Sequence, residues 1–326
     1  MQKQLLNLLK KFTKTRIVVV GDLIADEFLY GHVSRISREA PVLVLEGRNL
    51  VRLPGGAANA ANNLLALGSS VAIAGVVGID DSGKEILASL NKKGADTRLV
   101  RRRRSYTTPI KTRILAGAPH AAPHQIVRVD RGNNQNTSWR LSRTLIEEAV
   151  QTADGIILSD YGYNTISPSL LPCVRQLAGV KGIPIVADSR FRMSAYTDIT
   201  AITPNITELE AATGISIGPD TRLLHEVAGD VLTRQRLQSL LVTQGRFGMT
   251  LFENGKPPLH IPIYGTDEVA DVTGAGDTVI AVFTLALACG SSPAQAARLA
   301  NYAGGIVVMK QGTATVSRAE LRSALR

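Results

Sequence analysis

The 326-residue sequence predicts an α/β fold with a mostly parallel, doubly wound central sheet. Short runs of Val, Ile and Leu alternate with helical stretches, and this alternation favours parallel strands joined by helices. Hydrophobic residues make up 44% of the chain and aromatic residues only 4%, which suits a sheet core of small aliphatic side chains. Several runs end in Asp or Gly, and ligands gather at the carboxyl ends of parallel strands.

The predicted elements follow one another without an internal repeat or a low-complexity linker. Each strand candidate is a short, mainly β-branched run. Asp22, Asp160, Asp188 and Thr243 come at or just after the ends of such runs, so we expect them at one edge of the sheet. The strand candidates are Arg16–Gly21, Val42–Leu45, Val71–Val77, Gly155–Ser159, Ile183–Ala187 and Leu240–Thr243, and the helix candidates are Ala57–Leu67, Ser82–Lys93, Ser138–Gln151, Ser167–Ala178 and Thr207–Thr213.

Two segments, 28–53 and 99–130, interrupt the alternation. Both are rich in β-branched residues and arginine and have no helical periodicity. We interpret them as a small antiparallel β-layer inserted into one domain that covers residues 1–326. A layer over the mouth of the sheet would act as a lid that excludes water from a reaction.

The charge balance restricts the class of partner. The chain carries 37 Lys and Arg against 27 Asp and Glu, a net charge of +10, which suits nucleic acid, an anionic membrane surface or anionic small molecules. The densest cluster, Arg101–Arg104, has no helix-turn-helix pattern and no interleaved aromatic residues, so it favours a solvated strand end.

The remaining composition indicates the compartment. Two distant cysteines, Cys173 and Cys289, predict neither a disulfide framework nor a metal site. The N-terminus has no signal-peptide pattern, and no apolar run approaches the ~20 residues that span a bilayer. We therefore expect a soluble cytoplasmic protein without a membrane or nucleic-acid partner.

The run Asp271-Val-Thr-Gly-Ala-Gly-Asp277-Thr278 is the strongest functional signal. An apolar run, Val279–Ala288, follows it and predicts a buried helix. The small residues Gly274, Ala275 and Gly276 would bring backbone N–H groups at the helix N-terminus close to a phosphate. Asp277 would then serve as the base that takes a proton from an attacking hydroxyl. The alternative is an ordinary loop with an N-cap aspartate.

Two further motifs suit a polyol such as a sugar. Gly55 and Gly56 open a helix of small residues, and Asn59 offers both donors and acceptors. Asp22 and Asp26 follow the first strand, and carboxylates accept hydrogen bonds from sugar hydroxyls. The alternatives are a glycine turn into a tightly packed helix and aspartates that cap turns.

Asn205 and Glu208 lie three residues apart at the start of a predicted helix, which puts them on one face. They could hold the waters of a nucleotide-bound Mg²⁺, or they could form a helix cap. No Walker A motif is present, so the Gly-Ala-Gly-Asp turn is the candidate phosphate loop. The histidines show no metal spacing and receive no role: His32, His120, His124, His225 and His260.

With these motifs, the chain resembles the PfkB/ribokinase-type carbohydrate kinases over nearly its full length. Gly-Gly-x-x-Asn at 55–59, Asp-x-Thr-Gly-Ala-Gly-Asp at 271–277 and Thr-Pro-Asn-x-x-Glu at 203–208 carry the resemblance. Within that family it is most similar to the D-glycero-β-D-manno-heptose-7-phosphate kinases, above all in Arg-Ile-Ser-x-Glu-Ala-Pro-Val at 35–42. Further matches are Gly21–Asp26, Tyr30–Gly31, Pro54–Asn59, Gly78–Asp81, Leu158–Tyr161 and Lys310–Ser317.

The resemblance implies a ribokinase-like α/β/α sandwich with a β lid, and a homodimer formed through that lid. It implies transfer of a phosphoryl group from Mg²⁺-ATP to O1 of heptose 7-phosphate, giving heptose 1,7-bisphosphate for ADP-heptose and lipopolysaccharide core synthesis. Some relatives carry a nucleotidyltransferase domain after the kinase. This sequence ends at Arg326, and we expect the single-function form.

The resemblance also assigns roles to residues. Asp277 would be the base, and the N–H groups of Gly274 to Asp277 would stabilise charge on the transferring phosphoryl group. Asn205 and Glu208 would organise Mg²⁺ through water. The sugar would be bound by Asp22, Asp26, Gly55, Gly56 and Asn59, and the nucleotide by Asn205, Thr243, Gly245 and Asn301. A sugar phosphate also needs a cation for its own phosphate, and the candidates are Lys111 and Arg128 on the predicted lid strands, with Arg190 as another. The alternative for each of the three is a solvated strand residue.

Two departures from the heptose kinase pattern leave alternatives open. Tyr163 stands where that pattern has lysine, and Arg190 stands where it has lysine after Asp-Pro. Arg and Lys bind anions with different geometry, so the sugar could be another one. A catalytically silent sugar-sensing regulator is a second alternative, against which the intact Asp277 argues. A nucleic-acid-binding protein, motivated by the net charge, is the third.

Overall fold

The computed structural model describes residues 2–117, 124–132, 143–265 and 270–326. Within these ranges the chain folds into two β-sheets with helices packed on both faces of the larger one. The helices are α1 (Gln2–Lys11), α2 (Ala57–Ala66), α3 (Asp81–Lys92), α4 (Arg143–Gln151), α5 (Leu170–Lys181), α6 (Ile206–Thr213), α7 (Thr221–Arg234), α8 (Ala275–Ala288), α9 (Pro293–Val308) and α10 (Arg318–Ala324). The strands are β1 (Arg16–Gly21), β2 (Leu23–Ile36), β3 (Leu43–Gly56), β4 (Ser70–Gly78), β5 (Asp96–Arg103), β6 (Ile110–Gly117), β7 (His124–Arg131), β8 (Gly155–Asp160), β9 (Ile185–Ser189), β10 (Ala201–Ile202), β11 (Ser239–Thr243), β12 (Met249–Glu253) and β13 (Leu259–Ile261).

The larger sheet has nine strands in the order β13-β12-β11-β10-β9-β8-β1-β4-β5. The seven strands from β11 to β5 are parallel, and β12 and β13 add an antiparallel edge. One apolar core joins the sheet to α1, α2, α3, α8, α9 and α10, and the other joins it to α4, α5, α6 and α7. The predicted α/β sandwich with a mostly parallel sheet is therefore confirmed.

The strand order reverses at β1. The chain runs from β1 to β4 and β5 on one side, and later strands add on the other side, beginning with β8. A crevice opens at the carboxyl ends of the strands at such a point, because the connections on either side turn in opposite directions. Asp22 follows β1 and Asp160 ends β8, so both stand at this crevice.

The second sheet has four strands in the order β3-β2-β6-β7, and we call it the lid sheet. The prediction that its strands are all antiparallel is wrong, because β2 and β6 pair in parallel. The reason is topological: after β3 the chain passes through α2, β4, α3 and β5 before it re-enters the lid sheet from the same end as β2.

The extent of the inserted segments also differs from the prediction. The first spans Leu23–Gly56 in the structure and includes the candidate strand at Val42. In the second, residues 99–103 belong to β5, the edge strand of the larger sheet, and Arg101 to Arg104 are exposed there. Residues 118–123 of the predicted lid, with His120, and residues 138–142 of a predicted helix lie outside the described ranges. Among the described helices, none is both long and apolar enough to cross a bilayer.

Candidate active site

Helix α8 begins at the predicted phosphate loop. Gly274 is its N-cap, with φ +77° in the left-handed region that favours glycine. The N–H of Ala275 donates to the Val272 carbonyl at 3.2 Å, so this predicted phosphate donor is occupied by a turn. In the part of the chain that the structure describes, the N–H groups of Gly276 and Asp277 form no hydrogen bond. These two donors, at the positive end of the helix dipole, remain available to an anion.

Asp271 fixes the loop that leads into α8. One carboxylate oxygen accepts from the Thr273 N–H at 2.8 Å, and the other accepts from the Gly312 N–H at 3.0 Å. The aspartate thus ties the phosphate loop to the turn before α10. The sequence showed this residue only as part of a motif, and its anchoring role depends on a partner 41 residues away.

The Asp277 carboxyl group is buried, with 3% of the residue exposed. Asn59 Nδ2 donates to one carboxylate oxygen at 2.9 Å, and the Tyr161 hydroxyl donates to the other at 2.8 Å. Burial raises the pKa of Asp277 to about 7, and the hydrogen bonds from Asn59 and Tyr161 oppose that rise. A carboxylate with a pKa near neutrality is well suited to accept a proton from a hydroxyl.

Asn59 lies on α2 with none of its surface exposed. Its amide nitrogen contacts both Asp277 and, at 3.4 Å, the carbonyl of Gly274, while its amide oxygen accepts from Asn63 at 3.3 Å. The structure thus gives Asn59 a contact with the candidate base, and its contact with a sugar hydroxyl stays a prediction. The side chain joins α2 to the start of α8.

Asp26 stands on the lid sheet beside the two glycines. It is buried and forms an ion pair with Arg113 at 2.5 Å. Burial raises its pKa, although Arg113 and Lys111 act in the opposite direction. A Cβ atom on Gly55 would lie 2.3 Å from an Asp26 carboxylate oxygen, so glycine is required for this approach. Gly56 adopts φ +55° where β3 turns into α2.

Asp22 lies directly after the end of β1, as predicted, but its carboxylate contacts the protein backbone. None of its surface is exposed. Its carboxylate accepts from the backbone N–H groups of Tyr161 at 2.7 Å, Tyr163 at 3.0 Å and Thr165 at 3.1 Å. The expected role in binding sugar hydroxyls is therefore corrected: Asp22 anchors the loop after β8, because a buried carboxylate is stabilised by several N–H donors.

Asp160, at the end of β8, is likewise structural. Its carboxylate accepts from Arg192 at 2.8 Å and from the Tyr196 hydroxyl at 2.6 Å. The residue is only 2% exposed, so the ion pair holds β8 to the turn after β9.

The predicted cations lie at the mouth of the crevice. Lys111 is buried on β6, with its ammonium nitrogen 5.1 Å from the centre of the Tyr161 ring. Burial and then the nearby Arg190 lower the pKa of Lys111. Arg128 on β7 is held by both oxygens of Asp130 at 2.8 Å. These cations act on one another electrostatically, so the structure brings the three candidates to the same region.

Asn205 and Glu208 form a reciprocal cap at the start of α6. The Glu208 N–H donates to the Asn205 side chain at 2.8 Å, and the Asn205 N–H donates to the Glu208 carboxylate at 3.0 Å. Burial raises the pKa of Glu208. The helix-cap interpretation thus applies, and the carboxylate is also near enough to Asp188 to raise the pKa of that residue.

Asp188 is the residue that the sequence left without a role. It is the last but one residue of β9, and burial and then the charges of Glu208 and Asp277 raise its pKa well above the usual value. A Cβ atom on Gly276 would lie 4.0 Å from its carboxylate oxygen. Oxygen donors of this kind suit Mg²⁺, which retains several waters. Within the described residues, no three His, Cys, Asp or Glu side chains are arranged to hold a metal ion directly.

The candidate nucleotide residues Thr243, Gly245 and Asn301 lie on β11, on the turn after it and on α9. Thr243 ends β11, where its N–H donates to Pro204 at 2.9 Å, and Gly245 follows with φ +57°. Asn301 on α9 donates to the carbonyl of Pro262 at 2.8 Å, so it tethers the segment after β13. Asn301 thus fixes the backbone at Pro262, next to the candidate nucleotide site.

A cavity of about 590 Å³ lies elsewhere, at the end of the sheet where β9 begins. It is lined by Ile185, Asp198, Arg236 and Leu287. Leu287 is near the C-terminus of α8, whereas Asp277 is in its first turn. The cavity is therefore separate from the candidate active site.

Comparison with known proteins agrees with this geometry. Residues 14–320 match the model of the pfkB family carbohydrate kinases. The bifunctional protein HldE of Trichlorobacter lovleyi is 40% identical over 329 residues, which cover 99% of this chain and 65% of that protein. HldE of Geobacter metallireducens is 43% identical over 310 residues, 93% of this chain and 61% of that protein. The chain thus spans less than two thirds of these relatives.

Solved structures give the same fold. Ribokinase from Arabidopsis thaliana, in complex with ribose and ATP, has a TM-score of 0.76 at 23% identity, covering 96% of this chain and 98% of that one. Phosphofructokinase-2 from Escherichia coli has a TM-score of 0.74 at 18% identity, covering 95% and 98%. The architecture is therefore ribokinase-like.

Proposed function

The chain belongs to the pfkB family of carbohydrate kinases, and from that premise we propose that it transfers a phosphoryl group from ATP to O1 of D-glycero-β-D-manno-heptose 7-phosphate. The observation that carries the proposal is the Asp277 carboxylate, oriented by Asn59 and Tyr161 beside two available N–H groups of α8. The product, heptose 1,7-bisphosphate, would serve ADP-heptose and lipopolysaccharide synthesis in the cytoplasm.

Asp277 takes the proton of the attacking hydroxyl as that oxygen bonds to phosphorus and the bond to ADP breaks. The N–H groups of Gly276 and Asp277 stabilise negative charge on the transferring phosphoryl group. Asp26, with Arg113 beside it, accepts from a sugar hydroxyl. The lid sheet excludes water that would otherwise compete with the sugar.

The nucleotide enters along Thr243, Gly245 and the segment held by Asn301. A magnesium ion bound to its phosphates would neutralise their charge. Asn205, Glu208 and Asp188 would hold the waters of that ion, since their oxygen atoms and charge suit it. Asp188 joins the set because it faces Gly276 across the crevice.

Two observations support a sugar that carries its own phosphate. Lys111, Arg128 and Arg190 meet at the mouth of the crevice. The relatives named HldE share about 40% identity with nearly the whole chain. Tyr163, whose pKa is raised by burial and by Asp130, adds a phenol to this rim where the heptose kinase pattern has lysine. Another sugar phosphate is therefore the competing substrate.

The outer face of the lid sheet supports a homodimer. On β2, residues 26 and 28 face the crevice, so Leu29 faces outward, as do its register partners Leu50 and Ile114 and, beyond them, Val127. Leu50 is 49% exposed and Val127 is 45% exposed. A row of apolar side chains across four strands is typical of a surface that packs against a second copy.

A substrate panel tests the proposed function. ADP release from Mg²⁺-ATP is measured with heptose 7-phosphate, sedoheptulose 7-phosphate, fructose 6-phosphate, fructose 1-phosphate, ribose and fructose. We expect preference for heptose 7-phosphate, with the product phosphorylated at O1. Preference for another sugar would leave the assignment as a sugar kinase in place and overturn heptose 7-phosphate as the substrate.

The same assay tests the base. Asp277→Asn should lower turnover by roughly two or more orders of magnitude, because a general base contributes about that much. The affinity for ADP, measured by calorimetry, should stay close to wild type, since the N–H groups of α8 are unchanged. Turnover near the wild-type value would remove Asp277 from its assigned role.

A further inference from the structure

We propose that Tyr161 is a positioning residue that aims the Asp277 carboxylate at the sugar hydroxyl and favours its ionised form, an inference that rests on the proposed function. Its hydroxyl donates to one carboxylate oxygen at 2.8 Å. Asn59 holds the other oxygen from the opposite element, α2, at 2.9 Å. The two donors together fix the plane of the carboxylate.

Tyr161 is itself held at three points. Its backbone N–H donates to the buried Asp22 carboxylate at 2.7 Å, and the same carboxylate fixes Tyr163 and Thr165 further along the loop. Its hydroxyl bonds to Asp277. Its ring carries the ammonium group of Lys111 at 5.1 Å from the ring centre. Such support restricts the position of the hydroxyl, as a precise catalytic geometry requires.

The chemistry of a phenol suits this task. Burial and the charge of Asp277 raise the pKa of Tyr161 well above its usual value, so the hydroxyl remains a donor throughout the working pH range. A donor stabilises the ionised carboxylate more than the protonated one, and this opposes the effect of burial on Asp277.

The charged groups around Asp277 come from several elements. Lys111 on β6 favours ionisation of Asp277, and Asp26 on β2 opposes it. Asp188 on β9 interacts electrostatically with Asp277 and is half-buried. Among these neighbours, the two side chains that donate hydrogen bonds to the carboxylate are Asn59 and Tyr161. Removal of the Tyr161 hydroxyl therefore leaves one carboxylate oxygen of Asp277 without its donor.

Tyr161→Phe tests the proposal through the pH profile of kcat. Without the phenol, Asp277 should ionise at higher pH, so the acid limb of the profile should move up by about one pH unit. Turnover near pH 7 should fall about fivefold, because the ionised fraction of Asp277 drops from about one half to about one tenth, and it should recover at higher pH. The KM for ATP should change less than twofold. An unmoved acid limb would overturn the proposal and leave Tyr161 a packing residue.

Tyr196→Phe is the matched control. It also removes a phenol that donates to a buried aspartate, Asp160, at 2.6 Å, but that aspartate is paired with Arg192 and is not the base. We expect a lower melting temperature and an unmoved acid limb. A shift of equal size in both variants would show a general effect of lost stability and would contradict the specific role.

A second variant covers the case in which Tyr161→Phe does not fold. A ring-fluorinated tyrosine at position 161 keeps the shape of the side chain and makes its hydroxyl a stronger donor, so the acid limb should move to lower pH. A shift in the other direction, or none, would contradict the inference. Failure of the proposed function is distinct: wild-type protein would then release no ADP with any sugar of the panel.

Discussion

The buried carboxyl group of Asp277 has a defined pH dependence. Its pKa of about 7 in the fold lies above the ordinary value of 3.8, since burial disfavours the charged form. Turnover should therefore fall as the pH drops through about 7, because the protonated group cannot accept a proton. Measurement of kcat between about pH 6 and 9 checks this. A flat profile across that range would exclude Asp277 as the titrating base.

The same group affects stability in the opposite sense. Between about pH 4 and 7, the folded chain keeps a proton on Asp277 that the unfolded chain has lost. Its contribution to the free energy of unfolding therefore decreases as the pH rises through this window. The fold tolerates this cost at the position of the proposed base.

Gly274 is the position where a single methyl group has the clearest effect. A Cβ atom there would lie 2.4 Å from Asn59 Nδ2, at a φ of +77° that strains other residues. Gly274→Ala should lower the free energy of unfolding by roughly 1–3 kcal/mol and also reduce kcat, because Asn59 must move away from Asp277. Chemical denaturation and the ADP assay measure the two effects.

Gly290→Ala separates the effect of backbone strain from the effect of the contact with Asn59. Gly290 has a similar φ of +81°, but a Cβ atom there would have no neighbour within 4 Å. It should lose stability through strain alone, with kcat unchanged. Equal kcat values for the two alanine variants would contradict a contact between Gly274 and the base assembly.

At the scale of elements, runs of β-branched residues predicted most of the parallel strands of the larger sheet. The predicted runs at Arg16–Gly21 and Gly155–Ser159 agree with β1 and β8 within a residue. Helices α7, α9 and α10 received no prediction, although each begins with a capping signal. Asp220 caps α7, and capping boxes at Ser292 and Ser317 begin α9 and α10.

The sequence indicated the role of a residue when a single motif contained both that residue and its neighbours. Asp277 and Gly274 share a helix start, so their relation follows from the sequence alone. Tyr161 and Asp188 depend on partners far along the chain, so the local sequence located them without indicating a role. Asp22 was assigned to a sugar because a carboxylate after a strand suits either role, and its N–H partners lie 139 or more residues away.

The loop after β8 provides the prediction at this scale. Asp22→Asn replaces a carboxylate oxygen with an amide nitrogen, which cannot accept from the N–H groups of Tyr161, Tyr163 and Thr165 together. We expect a loss of roughly 1–3 kcal/mol in the free energy of unfolding, the cost of buried donors without acceptors. Thermal and urea denaturation measure it. Unchanged stability would show that the loop does not depend on Asp22.

At the scale of the whole molecule, the outer face of the lid sheet predicts assembly. Val127→Asp introduces a charge into the apolar row with Leu50 and Ile114, so the proposed dimer should dissociate. Size-exclusion chromatography with light scattering checks the mass. Val180→Asp on α5 is the control, since that valine is 87% exposed and distant from the lid sheet. A monomeric wild-type protein would refute the dimer.

The parallel pairing of β2 with β6 has a mechanical consequence. All four lid strands meet the body at one end, near Leu23, Gly56, Ile110 and Arg131. The lid sheet thus extends about 45 Å from its attached end, given 14 residues in β2 and about 3.3 Å per residue. A rotation of about 5° at its base would displace the tip near Ile36 by about 4 Å but Asp26 by only about 1 Å. The entrance can therefore widen while the residues nearest the hinge hardly change position.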